Sequence, residues 1–213
     1  MHMKKLMLAI AMGVFITGNV VAQNVKFGIR GGLNLSKVSS FSYKTNNGTS
    51  EQAVSTEYKP GFHAGVYADI GINNLISIQP EIIYSQKGYR TNYSFLGVDR
   101  TTTVSYNYLD IPFMAKIKTG TGFNVFAGPA VSFLMDRKVK DSGDDGSFET
   151  GDGVIDEDNF RKADIGGVVG GEYDFGKFNL GARYNFGLQK LDKNDASVKA
   201  RNNNIQVSLG FNF

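Results

Sequence analysis

From Asn203 to Phe213 the chain reads Asn-Asn-Ile-Gln-Val-Ser-Leu-Gly-Phe-Asn-Phe. Ile205, Val207, Leu209, Phe211 and Phe213 occupy every second position, with Asn204, Gln206, Ser208, Gly210 and Asn212 between them. Successive side chains of a strand point to opposite faces, so this pattern specifies a strand with one apolar and one polar face. The last tooth of the apolar row is also the last residue, which places the end of the strand against something apolar rather than in a frayed polar tail.

The same alternation recurs seven times upstream. Strands are predicted over Asn24 to Leu35, Gly61 to Ile70, Ile76 to Lys87, Tyr108 to Ile117, Phe123 to Met135, Ala163 to Tyr173 and Phe178 to Leu188. The fifth is the least clean, because Phe126 and Leu134 fall in its polar row. Connections one, three, five and seven are long and polar. The second, fourth and sixth are tight turns such as Gly71-Ile72-Asn73-Asn74 and Asp174-Phe175-Gly176-Lys177, rich in residues that tolerate positive φ. Eight strands with long connections on one side and short turns on the other describe an all-β, antiparallel, up-and-down transmembrane barrel. Strands of this length match the roughly 9 to 11 residues a tilted strand needs to cross a bilayer.

Average hydropathy does not argue against this. The chain is 41% hydrophobic with a mean hydropathy of −0.21, but alternating strands dilute the mean and escape windows tuned to helices. After the first 22 residues no apolar run is long enough for a membrane helix. Residues 1 to 22 read as an export signal: Lys4 and Lys5, the apolar stretch Leu6 to Val21, and Val20-Val21-Ala22 before Gln23. Cleavage there leaves residues 23 to 213 as the barrel domain and takes the net charge of +3 to +1. Cysteine is absent, which excludes disulfides, thiolate catalysis and Cys-ligated zinc. Nothing in the charge pattern calls for nucleic acid.

Alternation alone does not say which face looks inward, since a soluble lipocalin-like carrier of an apolar ligand would hide the apolar row. The polar row holds Lys26, Arg30, Lys87, Lys116 and Arg183 against Asp69, Glu81, Asp110, Asp164 and Glu172, interspersed with small residues. A narrow eight-stranded barrel is filled by side chains, so balanced charges among glycines fit a lumen ion-pair network. Aromatic residues of the apolar row gather at strand ends: Phe27, Phe123, Tyr173, Phe178 and Phe213 near the short turns, Phe62, Tyr84, Phe133 and Phe186 near the long loops. Two such belts anchor a barrel at both interfaces.

Several stretches carry a family likeness: Phe27-Gly28-Ile29-Arg30-Gly31-Gly32-Leu33-Asn34-Leu35, Gln79-Pro80-Glu81-Ile82-Ile83-Tyr84-Ser85-Gln86-Lys87-Gly88, Tyr108-Leu109-Asp110-Ile111-Pro112, Ala127-Gly128-Pro129 and Ala182-Arg183-Tyr184-Asn185-Phe186-Gly187-Leu188. In this order they resemble the PorT-like family of outer-membrane β-barrel proteins, small eight-stranded barrels. The resemblance implies an outer-membrane location and, from the family name, a part in secretion. It also implies that Pro80, Pro112 and Pro129, each costing a ladder hydrogen bond, sit at bulges or bends. Fold likeness alone does not assign an activity.

Candidate chemistry is sparse. His63 is the only histidine after residue 22, and a hydrolase would need it beside a loop serine and a carboxylate; a hydrogen-bonding lumen residue is the plainer expectation. The acidic fifth connection places Asp141, Asp145 and Asp152 at spacings that partly resemble a calcium loop, but Gly143 stands at its third position and Asp152 replaces the glutamate of its twelfth. A solvated acidic loop is expected there. The sequence therefore reads as a non-enzymatic barrel without cofactors. Its expected partners are outer-membrane lipid, the barrel-assembly machinery through the strand ending in Phe213, and an extracellular ligand at the long loops.

Overall fold

A computed structural model describes residues 25–39, 41–44, 51–95, 97–143, 146–150, 162–189 and 200–213. The proposed export signal lies outside the described residues. Eleven strands are present among the described residues: β1 (Val25–Val38), β2 (Phe41–Lys44), β3 (Glu51–Val54), β4 (Glu57–Gly71), β5 (Ile76–Phe95), β6 (Val98–Lys118), β7 (Phe123–Gly143), β8 (Gly146–Thr150), β9 (Ala163–Phe175), β10 (Phe178–Gly187) and β11 (Asn202–Asn212). Eight of them close a ring in the order β1-β4-β5-β6-β7-β9-β10-β11, every neighbouring pair antiparallel. The seam runs between β11 and β1, from Gly28 opposite Asn212 to Val38 opposite Asn202. Closure removes the unpaired edges that an open sheet could not bury in lipid. The β2–β3 hairpin and β8, which pairs antiparallel with the last residues of β7, lie in the connections.

The apolar row faces out and the polar row faces in. Phe27, Ile29, Leu33, Val66, Ile82, Phe113, Val169, Leu180, Val207 and Leu209 are exposed, whereas Arg30, Asp69, Glu81, Lys116, Glu172, Arg183 and Gln206 are buried. This is the inverse of a soluble carrier, whose apolar row would line the cavity. In water such an exterior would be unsatisfied; in hydrocarbon it is the required surface.

Short turns close one end of the barrel. Asn73 Oδ1 accepts from the backbone N–H groups of Leu75 (2.8 Å) and Ile76 (2.7 Å), so its side chain supplies the bonds of the β4–β5 turn. Gly176 turns β9 into β10 at φ 67°, a conformation that favours glycine. At the other end the strands are unequal. The segment Gly88 to Thr103, expected as a polar loop, is instead the continuation of β5 and β6, paired without a break from Ile83–Asp110 to Phe95–Val98. Likewise β7 runs past Met135 to Gly143. Runs of Thr, Tyr and Val in these segments suit strands even where the hydrophobic row has ended, so β5, β6 and β7 form a wall standing above the rest of the ring.

One extra residue in β7 adapts it to this second environment. Tyr108 lies opposite Leu134 and Asn107 opposite Asp136, leaving Met135 as a bulge that is 62% exposed. Below the bulge the even positions Asn124, Phe126 and Ser132 point inward; above it the inward row is odd and includes the buried Val139, with Lys138 and Lys140 exposed. A second bulge falls in β4 between Tyr58 and His63. Pro60 falls within that irregular stretch of β4, whereas Pro80, Pro112 and Pro129 do not shift the register. Around Pro80 and Pro112 the β5–β6 and β6–β7 ladders are interrupted, yet pairing resumes in the same register, Pro80–Phe113 then Ile83–Asp110, and Pro112–Ala130 then Ala115–Ala127. Pro129 stays opposite Gly167 in an unbroken run. The missing N–H removes a bond without adding a residue, so the strand need not slip.

Candidate functional site

Inside the ring the polar row builds a continuous network. Glu81 on β5 takes Arg30 on one oxygen (3.0 Å) and Arg183 on the other (2.6 Å). Arg30 also donates to Glu172 on β9 (3.0 Å), whose second oxygen takes Lys116 (2.6 Å). Lys116 reaches Asp69 (2.6 Å) and the Gln79 carbonyl (2.8 Å), and Lys118 closes on the other oxygen of Asp69 at 3.0 Å. Gln79 donates to Glu81 (2.7 Å), Arg183 Nε donates to Gln206 (2.5 Å), and the Arg30 guanidinium lies 4.6 Å from the Tyr67 ring centroid. Each charge is thus met by opposite charge or dipole, the condition under which buried ions are tolerated. Gly170 makes room for this: a Cβ there would lie 2.7 Å from the Arg183 Cβ.

Toward the long-strand end a smaller cluster follows. Lys87 donates to Asp110 (2.8 Å) and Ser132 (3.3 Å) beneath the Tyr108 ring. Asp164 makes no ion pair among the described residues; it accepts from Asn202 (3.0 Å), which also reaches the Tyr108 hydroxyl (3.3 Å). Nine of the ten expected lumen charges are therefore buried inside, and eight of them are ion-paired. Lys26 departs: it is exposed at the short-turn rim, and Lys118, which the sequence reading assigned to a turn, meets Asp69 instead. Gln79, Gln206 and Tyr67 also belong to the network. All three follow the polar-row parity, the signal that could have found them.

Two apolar groups complete the filling. Met114, Phe126 and Val168 pack together inside the lumen, which explains why Phe126 interrupts the polar row of its strand. Above the lumen, Val38, Tyr89, Val104, Tyr106, Tyr108, Val139 and Ala200 form a cap. Once the strands leave hydrocarbon their inner face behaves as the core of a water-soluble barrel.

His63 is wholly buried. Its Nδ1 is 2.7 Å from Asn34 Oδ1 and its Nε2 is 2.7 Å from Ser208 Oγ. Asn34 is also held by Gln206 Nε2 (2.9 Å) and donates to the Phe62 carbonyl (3.0 Å). The order Asn-His-Ser is that of a nucleophile relay, but Ser208 is 3% exposed and His63 1%, so no substrate reaches the hydroxyl in this conformation. The contact ties β1, β4 and β11 across the seam.

On the wall, Tyr93 donates to Asp141 (2.6 Å) and Arg100 stands 3.8 Å from the same carboxylate. The hydrogen bond to Asp141 raises the Tyr93 hydroxyl above the ordinary tyrosine pKa. Of the calcium candidates, Asp141 is thus engaged with Tyr93 and Arg100, while Asp145 and Asp152 lie outside the described residues. A hollow of about 710 Å³ opens at the wall tip, lined by Asn92, Tyr93, Asp99, Arg100, Thr101 and Ser142 among others.

Comparison with known proteins places this architecture. Among solved structures the chain is similar to Ail, the attachment invasion locus protein of Yersinia pestis, at 14% identity and a TM-score of 0.49, over 90% of this chain and 100% of that one. It is similar to Neisserial surface protein A at 14% identity and a TM-score of 0.48, again over 90% and 100%. The outer membrane protein OprG of Pseudomonas aeruginosa matches at 10% identity and a TM-score of 0.45, over 88% and 95%. No curated protein sequence matches the chain. The family model described as outer membrane protein beta-barrel domain matches residues 21–193. The chain belongs to that family of outer-membrane β-barrels.

Proposed function

We propose that this protein is a non-enzymatic component of the outer membrane that works through its outward surfaces and not through its lumen. The observation that carries the reading is the filled interior. A salt-bridged network from Asp69 to Arg183, a Met114–Phe126–Val168 cluster and a tyrosine-rich cap together fill the described ring. A solute path would have to break buried ion pairs, each strongly destabilising when one partner is lost. What is left for recognition is the wall of β5, β6 and β7, with the polar hollow at its tip facing the cell exterior. An adhesive or envelope-supporting role fits this surface. A secretion-associated role fits the resemblance to PorT-like proteins. The exposed Phe213 at the end of β11 is the segment we assign to contact with the barrel-assembly machinery during insertion.

The test is electrical. Purified protein in planar bilayers is expected to show no steady conductance, while a variant with Glu81 and Arg183 both replaced by Ala should flicker open. A stable open level in the unmodified protein would overturn the sealed-lumen reading.

A further inference from the structure

The lipid-facing surface of the seam changes character at its long-strand end. Leu33, Leu35, Ile205 and Val207 are exposed apolar residues flanking the seam. The outward row then continues with Lys37 on β1 and Ser39 just past it, and with Asn203 on β11 and Arg201 just before it. Lys37 lies opposite Asn203. Ser39 N donates to the Arg201 carbonyl (2.9 Å), and Arg201 N donates to Ser39 Oγ (3.0 Å). Lys37 and Arg201 therefore occupy diagonal positions across an antiparallel pair, about 7–8 Å apart at their backbones. An ammonium and a guanidinium on such a pair can close on one tetrahedral anion.

Aromatic rings bracket the notch. The Lys37 ammonium stands 4.7 Å from the Tyr58 ring centroid on the β4 side. On the β10 side the Tyr184 hydroxyl donates to Asn203 Oδ1 (2.9 Å), and its ring lies 6.1 Å from that of Phe186. With Oδ1 engaged, Asn203 has its Nδ2 to offer as a donor. Glu57, next to Tyr58 in sequence, is bonded by Asn92 of β5 and so belongs to the far side of β4. The height is also suitable. Lys37 is two residues beyond Leu35, about 7 Å along the strand, and the head-group layer extends roughly 5–8 Å beyond the hydrocarbon. The notch is thus continuous with the lipid-facing surface and complementary in charge to a lipid phosphate.

We propose that the seam notch binds the phosphate of an anionic lipid in the leaflet at the long-strand rim. Lys37 and Arg201 bracket the phosphate, and Asn203 bonds to one of its oxygens. A lipid held here braces the two strands that close the barrel.

The full-length protein, solubilised in a neutral detergent, can be titrated with phosphatidylglycerol or phosphatidylcholine and the bound lipid counted by native mass spectrometry. Phosphatidylglycerol should bind and phosphatidylcholine should not. Near-surface cations contribute roughly fivefold each, so the double variant K37Q/R201Q should weaken binding by about 25-fold. K26Q/K177Q, at the opposite rim, should not weaken it. Heat-modifiable gel mobility checks that both variants are folded. Equal binding by K37Q/R201Q, or an equal loss in K26Q/K177Q, overturns the proposal. Full displacement of lipid by millimolar inorganic phosphate would show that the notch takes a free anion and would overturn its assignment to lipid. None of these outcomes bears on the sealed lumen, which conductance reads separately.

Discussion

Arg183 on β10 donates to Glu81 on β5 at 2.6 Å across the lumen, although three strands separate them around the ring. Arg30 holds the other Glu81 oxygen. One carboxylate therefore anchors two guanidiniums from different sides of the barrel.

Replacing Glu81 with Ala should leave Arg30 and Arg183 short of their shared partner in a buried site. The expected loss is about 3–5 kcal/mol, read from urea titration of the vesicle-inserted protein. A loss below about 1 kcal/mol would show that the lumen relaxes or hydrates readily.

The outward row is expected to respond to charge according to depth. Leu209, 52% exposed near the middle of β11, should cost about 2–4 kcal/mol when changed to Arg, whereas Asn203→Arg at the rim should cost roughly 0–1 kcal/mol. The same unfolding titration checks both. Equal costs at the two depths would contradict a lipid-facing row.

Gly32 lies where the seam is tightest: a Cβ there would abut the Val207 carbonyl oxygen, and the Ser208 Cα (2.8 Å) and His63 Cε1 (2.9 Å) are close behind. Gly32→Val should cost more than the roughly 1–3 kcal/mol of ordinary overpacking, because backbone must move. The measurement is the fraction of protein reaching the compact, heat-modifiable form. Undiminished yield would mean that β1 and β11 can part without harm.

Tyr93 supplies a pH test. The Asp141 hydrogen bond holds its proton above the ordinary tyrosine pKa, so the folded wall binds that proton more tightly than the unfolded chain does. Its contribution is present below the unfolded pKa of about 10 and is lost as pH rises through the folded value. The Tyr93→Phe difference spectrum of phenolate absorbance should titrate late in the parent protein and earlier in an Asp141→Asn background. Identical curves would remove the bond.

The fold was largely legible because hydrocarbon and a narrow lumen impose opposite demands on alternate residues, and period-2 rows such as Ile205 to Phe213 record both. Strand ends were not legible by the same signal. Beyond Lys87 the apolar row stops, and hydropathy treats Tyr89 to Thr103 as loop although its β-branched and aromatic residues continue the strand. The positions of most lumen charges followed from parity, but their pairing did not: residues more than 100 apart, such as Glu81 and Arg183, meet only after closure. Lys26 has the right parity and the wrong depth, since an exposed rim site leaves a lysine in water. Pro80, Pro112 and Pro129 leave the register unchanged, because a missing N–H and an inserted residue leave similar marks in sequence, while only the latter shifts it.

The Met135 bulge lets β7 obey two solvents in succession. Because it resets which side chains point inward just where lipid gives way to water, the segment beyond it is chemically independent of the segment below. Pairs of residues can be added to or removed from the wall tip without disturbing the bilayer-embedded cylinder, whereas deleting Met135 alone would drive Lys138 and Lys140 toward the cap and turn Val139 outward. The protein can thus vary the reach of its exterior surface while its anchor stays constant.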